Sequence, residues 1–115
     1  MAAALAISSL AASAEDRIQS TKAPFYVGKS VLACGPVAQV SKTAKATYVN
    51  LDHAYPKQSL GLVIWSDDLP AYESRLGSLG ALKGRTVCAR GVVTEYRDRL
   101  QIVMKNAQFL RLMDR

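Results

Sequence analysis

Histidine is almost missing from this chain: His53 is the only one. One imidazole and two cysteines cannot complete a four-ligand zinc site, and Cys34 and Cys88 stand nearly half the chain apart, too far for a local metal knuckle. No metal and no cofactor is therefore expected. His53 is also the only imidazole a nucleophilic triad could use. It lies beside Asp52 in a turn-rich stretch with no nucleophile signature around it, which reads as an exposed turn residue. The nine acidic residues are scattered, and Asp67-Asp68 reads as a helix cap rather than an acid/base pair. A glycine-rich phosphate loop is lacking too. These absences point to a binding protein and away from an enzyme. No apolar run reaches the ~20 residues that a membrane-crossing helix needs.

What is abundant is positive charge. Fifteen Lys and Arg against nine Asp and Glu give a formal net charge of +6 and a pI near 9.6. Such an excess serves solubility, or it attracts an anionic partner such as nucleic acid, phospholipid headgroups or cell-envelope polymer. The chain length allows one small domain with a single core and little spare stability, so a covalent staple would help it.

Residues 1–14, MAAALAISSLAASA, carry no charge and end in Ala12-Ser13-Ala14, a small-x-small pattern that a signal peptidase accepts. Cleavage is expected between Ala14 and Glu15, which would place residues 15–115 in the periplasm or outside the cell. One feature departs from that pattern: no Lys or Arg precedes the apolar run. A mobile Ala-rich arm is the alternative. In an oxidising compartment, an even pair of cysteines in a small domain suggests one disulfide.

Residues 15–29 read as an irregular or short helical lead-in. Ser30 to Val40 then places Val31, Ala33, Gly35 and Val37 on one face, with a bulge or bend expected at Gly35-Pro36. Thr47 to Leu51 and Leu60 to Trp65 read as the second and third strands. Pro70 fits a first helical turn, and Tyr72, Leu76 and Leu79 at i, i+4 and i+7 predict an amphipathic helix over 69–79. Arg85 to Tyr96 and Leu100 to Lys105 read as two more strands, with 106–115 as a tail packing Phe109, Leu110 and Leu112 onto the body. Three strands, a capping helix and two strands form the order of an all-β, five-stranded Greek-key OB-fold barrel over residues 30–105. Glycines inside the first and fourth strands suit a tightly coiled barrel, although a small α+β sandwich shares the order.

Several segments carry a resemblance. V-L-A-C-G-P-V at 31–37, T-Y-V-N-L at 47–51, Y-P-K-Q at 55–58 and V-I-W at 63–65 resemble a bacterial exported OB-fold family, the tRNA-anticodon-like nucleic-acid-binding module. T-V-C-A-R-G-V-V-T-E-Y at 86–96 and Q-I-V at 101–103 continue the match. The module is also found as an accessory domain of secreted nucleases, and the likeness spans about residues 27–112. It implies an OB-fold and a nucleic-acid partner. A periplasmic stress-tolerance OB-fold family shares the signal and the barrel, and Y-P-x-Q favours the first.

OB-folds bind oligonucleotides or oligosaccharides on the face of strands two and three, between the loops that join strands one to two and four to five. That places Lys42 and Lys45 in one flanking loop and Arg97 and Arg99 in the other, as phosphate contacts. Alternation sends Tyr48, Asn50 and Trp65 outward between them, the rings to stack on bases and the amide to hydrogen-bond; for the rings the alternative is packing, Tyr48 into the barrel and Trp65 over the junction with the helix. Gly61 would leave the face open, and Lys57 could extend the basic track. The first and fourth strands of an OB barrel are neighbours, and Cys34 and Cys88 both point away from the glycine face. A Cys34–Cys88 disulfide follows, with free thiols on the barrel wall as the alternative. The expected function is low-specificity binding of single-stranded nucleic acid or a similar polyanion. The competing expectation is a periplasmic module that meets an envelope protein. Oligomeric state is left open.

Overall fold

Alternation of apolar and polar side chains builds most of the fold, and the computed structural model describes residues 15–113. The expected signal segment 1–14, including Ala14 at the cleavage point, lies outside the described residues. Eight strands and one short helix follow in chain order. They are β1 (Asp16–Gln19), β2 (Ser30–Lys42), β3 (Ala46–Leu51) and β4 (Leu60–Trp65), then α1 (Leu69–Leu76), then β5 (Thr86–Val92), β6 (Thr94–Tyr96), β7 (Arg99–Val103) and β8 (Leu110–Leu112).

The hydrogen-bonded path runs β6-β7-β4-β3-β2-β5-β8, with β1 parallel to β2 off that path. This is an open, mixed eight-stranded sheet, where the sequence predicts a five-stranded closed barrel. Three local events account for the difference. Ile18 is buried, which turns part of the expected lead-in into β1. Val93 turns fully inward and bridges Val27, dividing the expected fourth strand into β5 and β6. Leu110, also fully buried, draws the tail into β8 against β5, although Leu112 stays exposed. Arg75 of α1 holds that tail by donating to the carbonyls of Ala107 and Leu110.

The sheet is nonetheless barrel-like. Only Val93 separates β5 from β6 in sequence, although they stand far apart along the sheet path. Gly91 of β5 faces Ile102 of β7 so closely that a Cβ there would overlap its side chain. Gly35 in β2 is equally confined by Ser20, whose hydroxyl donates to Asp52 at 2.6 Å. Bulge position departs from expectation: the register of β2 against β3 shifts between Val37 and Gln39, not at Gly35-Pro36. Val31, Ala33 and Val37 face the core before the bulge, whereas Val40 packs inward after it. Alternation has changed phase.

Cys34 and Cys88 are direct partners in the antiparallel β2–β5 ladder and form the disulfide, with Cα atoms 4.0 Å apart.

Helix α1 stops at Leu76, three residues before the expected end, where the amide of Gly77 donates to the Glu73 carbonyl. Leu79 still reaches the core, but from a separate 3-10 turn, Leu79–Leu82. Asp68 stands at the N-cap without a side-chain capping bond. Burial of the Tyr72 phenol, with the Asp68 charge adding to it, pushes its pKa up to about 12 from 10.0. Its hydroxyl has no hydrogen-bond partner among the described residues. The folded state thus holds this proton more tightly than the unfolded chain, so its contribution to stability is present below pH 10 and is lost towards pH 12. Tyr72→Phe should remove an unsatisfied hydroxyl, stabilise the fold by about 1 kcal/mol and raise the pH of alkaline unfolding. Circular dichroism melts at neutral pH and near pH 11 would check both effects.

Candidate functional site

The phase change in β2 sends Gln39 and Ser41 to the outer face, beside Asn50 and Tyr48 of β3 in register. Register carries the same face across Gly61 and Val63 of β4, Gln101 and Arg99 of β7, and Thr94 and Tyr96 of β6. A groove of about 410 Å³ lies on this face. Its walls bring together four of the seven expected contact residues, Tyr48, Asn50, Arg97 and Arg99.

The other three stand elsewhere. Lys42 pairs with Thr47, whose side chain is buried, so it occupies the opposite parity from Ser41 and leaves the groove face. Lys45 is exposed in a tight turn pinned by Thr43, whose hydroxyl donates to the Ala46 carbonyl and accepts from the Lys45 and Ala46 amides. Thr43, not either lysine, lines the groove. Trp65 continues the outward row of β4 past Val63 and is 45 % exposed, but it ends beside Ala46 and outside the groove. Lys57 is exposed and also outside it.

Asn50 faces the groove but is buried, and its amide Nδ2 donates to Gln39 Oε1 at 2.9 Å. The same oxygen accepts the backbone N–H of Tyr55 at 2.9 Å. Gln39 thus fastens the β3–β4 connection to the sheet, and Asn50 holds the Gln39 amide in place. The Tyr55–Pro56 peptide in that connection is cis. Gly61 keeps the floor low: a Cβ there would lie 3.2 Å from Asn50 Oδ1. Gln58 presents a buried side-chain oxygen without a hydrogen-bond partner among the described residues.

Two stacked pairs form the rim. The Arg99 guanidinium lies 4.6 Å from the centroid of the Tyr55 ring, and that of Arg97 lies 5.2 Å from the Tyr96 ring. Both tyrosines are more than half exposed. Stacking of this kind orders a cation and keeps its N–H groups available for an acceptor. Among the described residues, no carboxylate lines the groove. Sequence reasoning missed Gln39, Tyr55, Gln58, Tyr96 and Gln101. Tyr96 was legible from its parity with Thr94, whereas Tyr55 arrives through a loop that no periodicity encodes.

Outside the groove, Asp52 accepts hydroxyl hydrogen bonds from Ser20 and Ser59, and His53 is exposed with its backbone amide bonded to the Leu51 carbonyl.

No protein-family model matches the chain, and no curated protein matches it. Solved structures do. OBody AM1L10 bound to hen egg-white lysozyme superposes with a TM-score of 0.55 at 16% identity, over 80% of this chain and 85% of that one. The S. pombe Stn1–Ten1 complex gives 0.56 at 16% identity over 78% and 67%. An aspartyl-tRNA synthetase from Leishmania major Friedlin gives 0.60 at 16% identity, over 96% of this chain and 23% of the synthetase. What these likenesses establish is the architecture: an OB-fold, mostly β and barrel-like, with one short helix.

Proposed function

We propose that this groove binds single-stranded nucleic acid or a similar polyanion with little sequence preference, and that the protein is a binder without a catalytic step. The observation that carries the proposal is the rim. Two arginines are each held over a tyrosine ring, above a floor of amides, and no carboxylate among the described residues lines the groove. Phosphates would meet Arg97 and Arg99, bases would stack on Tyr48, Tyr55 or Tyr96, and Gln58 and Gln101 would offer hydrogen bonds. The net charge of +6 adds long-range attraction. Strands β2, β3, β4 and β7, with β5 and β6 acting as one, would serve as the five-stranded OB barrel beneath the groove. The resemblance to the exported tRNA-anticodon-like OB-fold module supports the same partner. The disulfide supports an oxidising, exported location.

An envelope-protein partner is the second reading, favoured by one observation: the OBody structures of this fold are bound to a protein, lysozyme. Salt separates the two. Fluorescence anisotropy of a labelled single-stranded oligonucleotide should show binding at low salt that weakens steeply as salt rises, by about 0.7 in log K per log unit of salt for each phosphate neutralised. Absence of binding at low salt would overturn the polyanion proposal and leave the protein-partner reading.

A further inference from the structure

A second arginine cluster stands on the far part of the sheet. Arg17 of β1 and Arg90 of β5 both pair with Leu32 of β2, and Arg111 of β8 pairs with Cys88 of β5. Adjacent strands lie ~4.8 Å apart and the order here is β1-β2-β5-β8, so the three arginines share one outer face across three strand spacings, about 14 Å. They border a hollow of about 260 Å³ that also has Leu32, Phe109 and Met113 in its walls. Arg90 is steadied over the Phe109 ring at 5.7 Å and is paired with Glu15 at 3.2 Å. Arg17 and Arg111 have no ion pair among the described residues. Among the described residues, three cations and one carboxylate leave this hollow net positive.

A single outward row connects it to the groove. Arg90 and Val92 of β5 and Thr94 and Tyr96 of β6 are all exposed and all of one parity, because Val93 turns inward without changing the alternation. Cys88, at the hollow, and Tyr96, on the groove rim, are eight positions apart on this row, a span of about 26 Å at roughly 3.3 Å per residue. No carboxylate belongs to the row between them: Glu95 has the opposite parity. Val92, nearly half exposed, gives the middle of the path an apolar step.

We infer that a bound single strand leaves the groove past Tyr96, follows the β5–β6 row, and has its phosphates held again by Arg17 and Arg111. This rests on the proposed function and extends it: the preferred substrate class becomes a long single strand, not a short oligonucleotide. Arg90, already engaged by Glu15, would contribute less. A bipartite site converts the second contact into an intramolecular one, so affinity rises with length once both clusters are spanned.

Two labelled single strands, of about 6 and about 20 nucleotides, would be titrated at several salt concentrations, the shorter sized for one OB-type groove. The wild-type protein and Arg17→Ala/Arg111→Ala would be compared. The double variant should bind the longer probe about tenfold more weakly, lower its salt slope by about 1.4, and leave the shorter probe unchanged. Equal binding of the longer probe by both proteins would overturn the extended track while leaving the groove proposal standing. Equal weakening of both probes would also overturn it, since the clusters would then act through general charge alone. If the wild type bound neither probe, the groove proposal itself would fall and the extension with it.

Discussion

Replacing both members of the disulfide, as Cys34→Ala/Cys88→Ala, should lower the stability of the domain by about 3–4 kcal/mol. The bridge joins residues 54 apart in sequence, so it removes a large loop-closure entropy from the unfolded chain. It also sits in the middle of the β2–β5 ladder, which runs from Ser30–Val92 to Pro36–Thr86 and holds β5 and β8 to the rest of the sheet. Cys34 is only half-buried on the outer face, but Cys88 is buried, so truncation to Ala leaves a small cavity at Cys88 whose cost adds to that of the missing cross-link. For a domain of this size the melting temperature should fall by about 15–25 °C. Urea unfolding of the variant and of the wild type, each with and without reductant, checks the assignment. Reduction should bring the wild type most of the way to the variant's midpoint, short of it by the cost of the Cys88 cavity, and leave the variant unmoved. A difference under about 1 kcal/mol between oxidised and reduced wild type would show that the ladder holds without its covalent link, against the loop-entropy expectation.

The same ladder shows what can be read from a sequence. Strand alternation located Leu60 to Trp65 as β4 and came within one residue of β3, because each strand has one fully buried face. Parity put Cys34 and Cys88 on one face for the same reason, and the neighbouring of the first and fourth OB strands suggested their bridge. Alternation failed where the phase changes. The register shift beyond Val37 turns Gln39 and Ser41 outward and Lys42 away, a single-residue event with no signature of its own in Val-Ala-Gln-Val. Val93 is the reverse case: it divides β5 from β6 without altering the phase, so one long strand was a natural reading of residues 85–96. Helical periodicity also ran on too far, since Leu79 is buried at the expected spacing although the chain has already left the helix. In the candidate site, residues carried by strands were accessible to this reasoning and Tyr55 was not. Its ring reaches Arg99 only because Gln39 anchors its backbone amide, a contact between two strand-connected segments that local pattern does not contain.

Arg97→Gly/Arg99→Ala should weaken oligonucleotide binding about thirtyfold at low salt and lower the salt slope by about 1.4, because two phosphate contacts are removed from the rim. The choice of glycine makes the test one of binding and not of folding. Arg97 and Asp98 form the β6–β7 turn with φ of 53° and 65°, the left-handed region that a two-residue hairpin turn of this kind demands. An arginine there is strained by about 1 kcal/mol, which glycine relieves. Any stacking energy removed with Arg97 over Tyr96 or Arg99 over Tyr55 is ~0.5–1 kcal/mol at such exposed positions, so the turn's gain offsets much of it. The variant should therefore melt close to the wild type while binding far less. Arg99→Lys separates charge from geometry. It keeps the cation but not the planar guanidinium that lies over Tyr55, so its salt slope should match the wild type's while its affinity falls a few-fold. If the double variant binds as tightly as the wild type, the rim arginines do not touch phosphate and the groove binds something other than a polyanion. If it binds weakly with an unchanged salt slope, the arginines act through their stacked surface, and the partner is read by its rings rather than its charge.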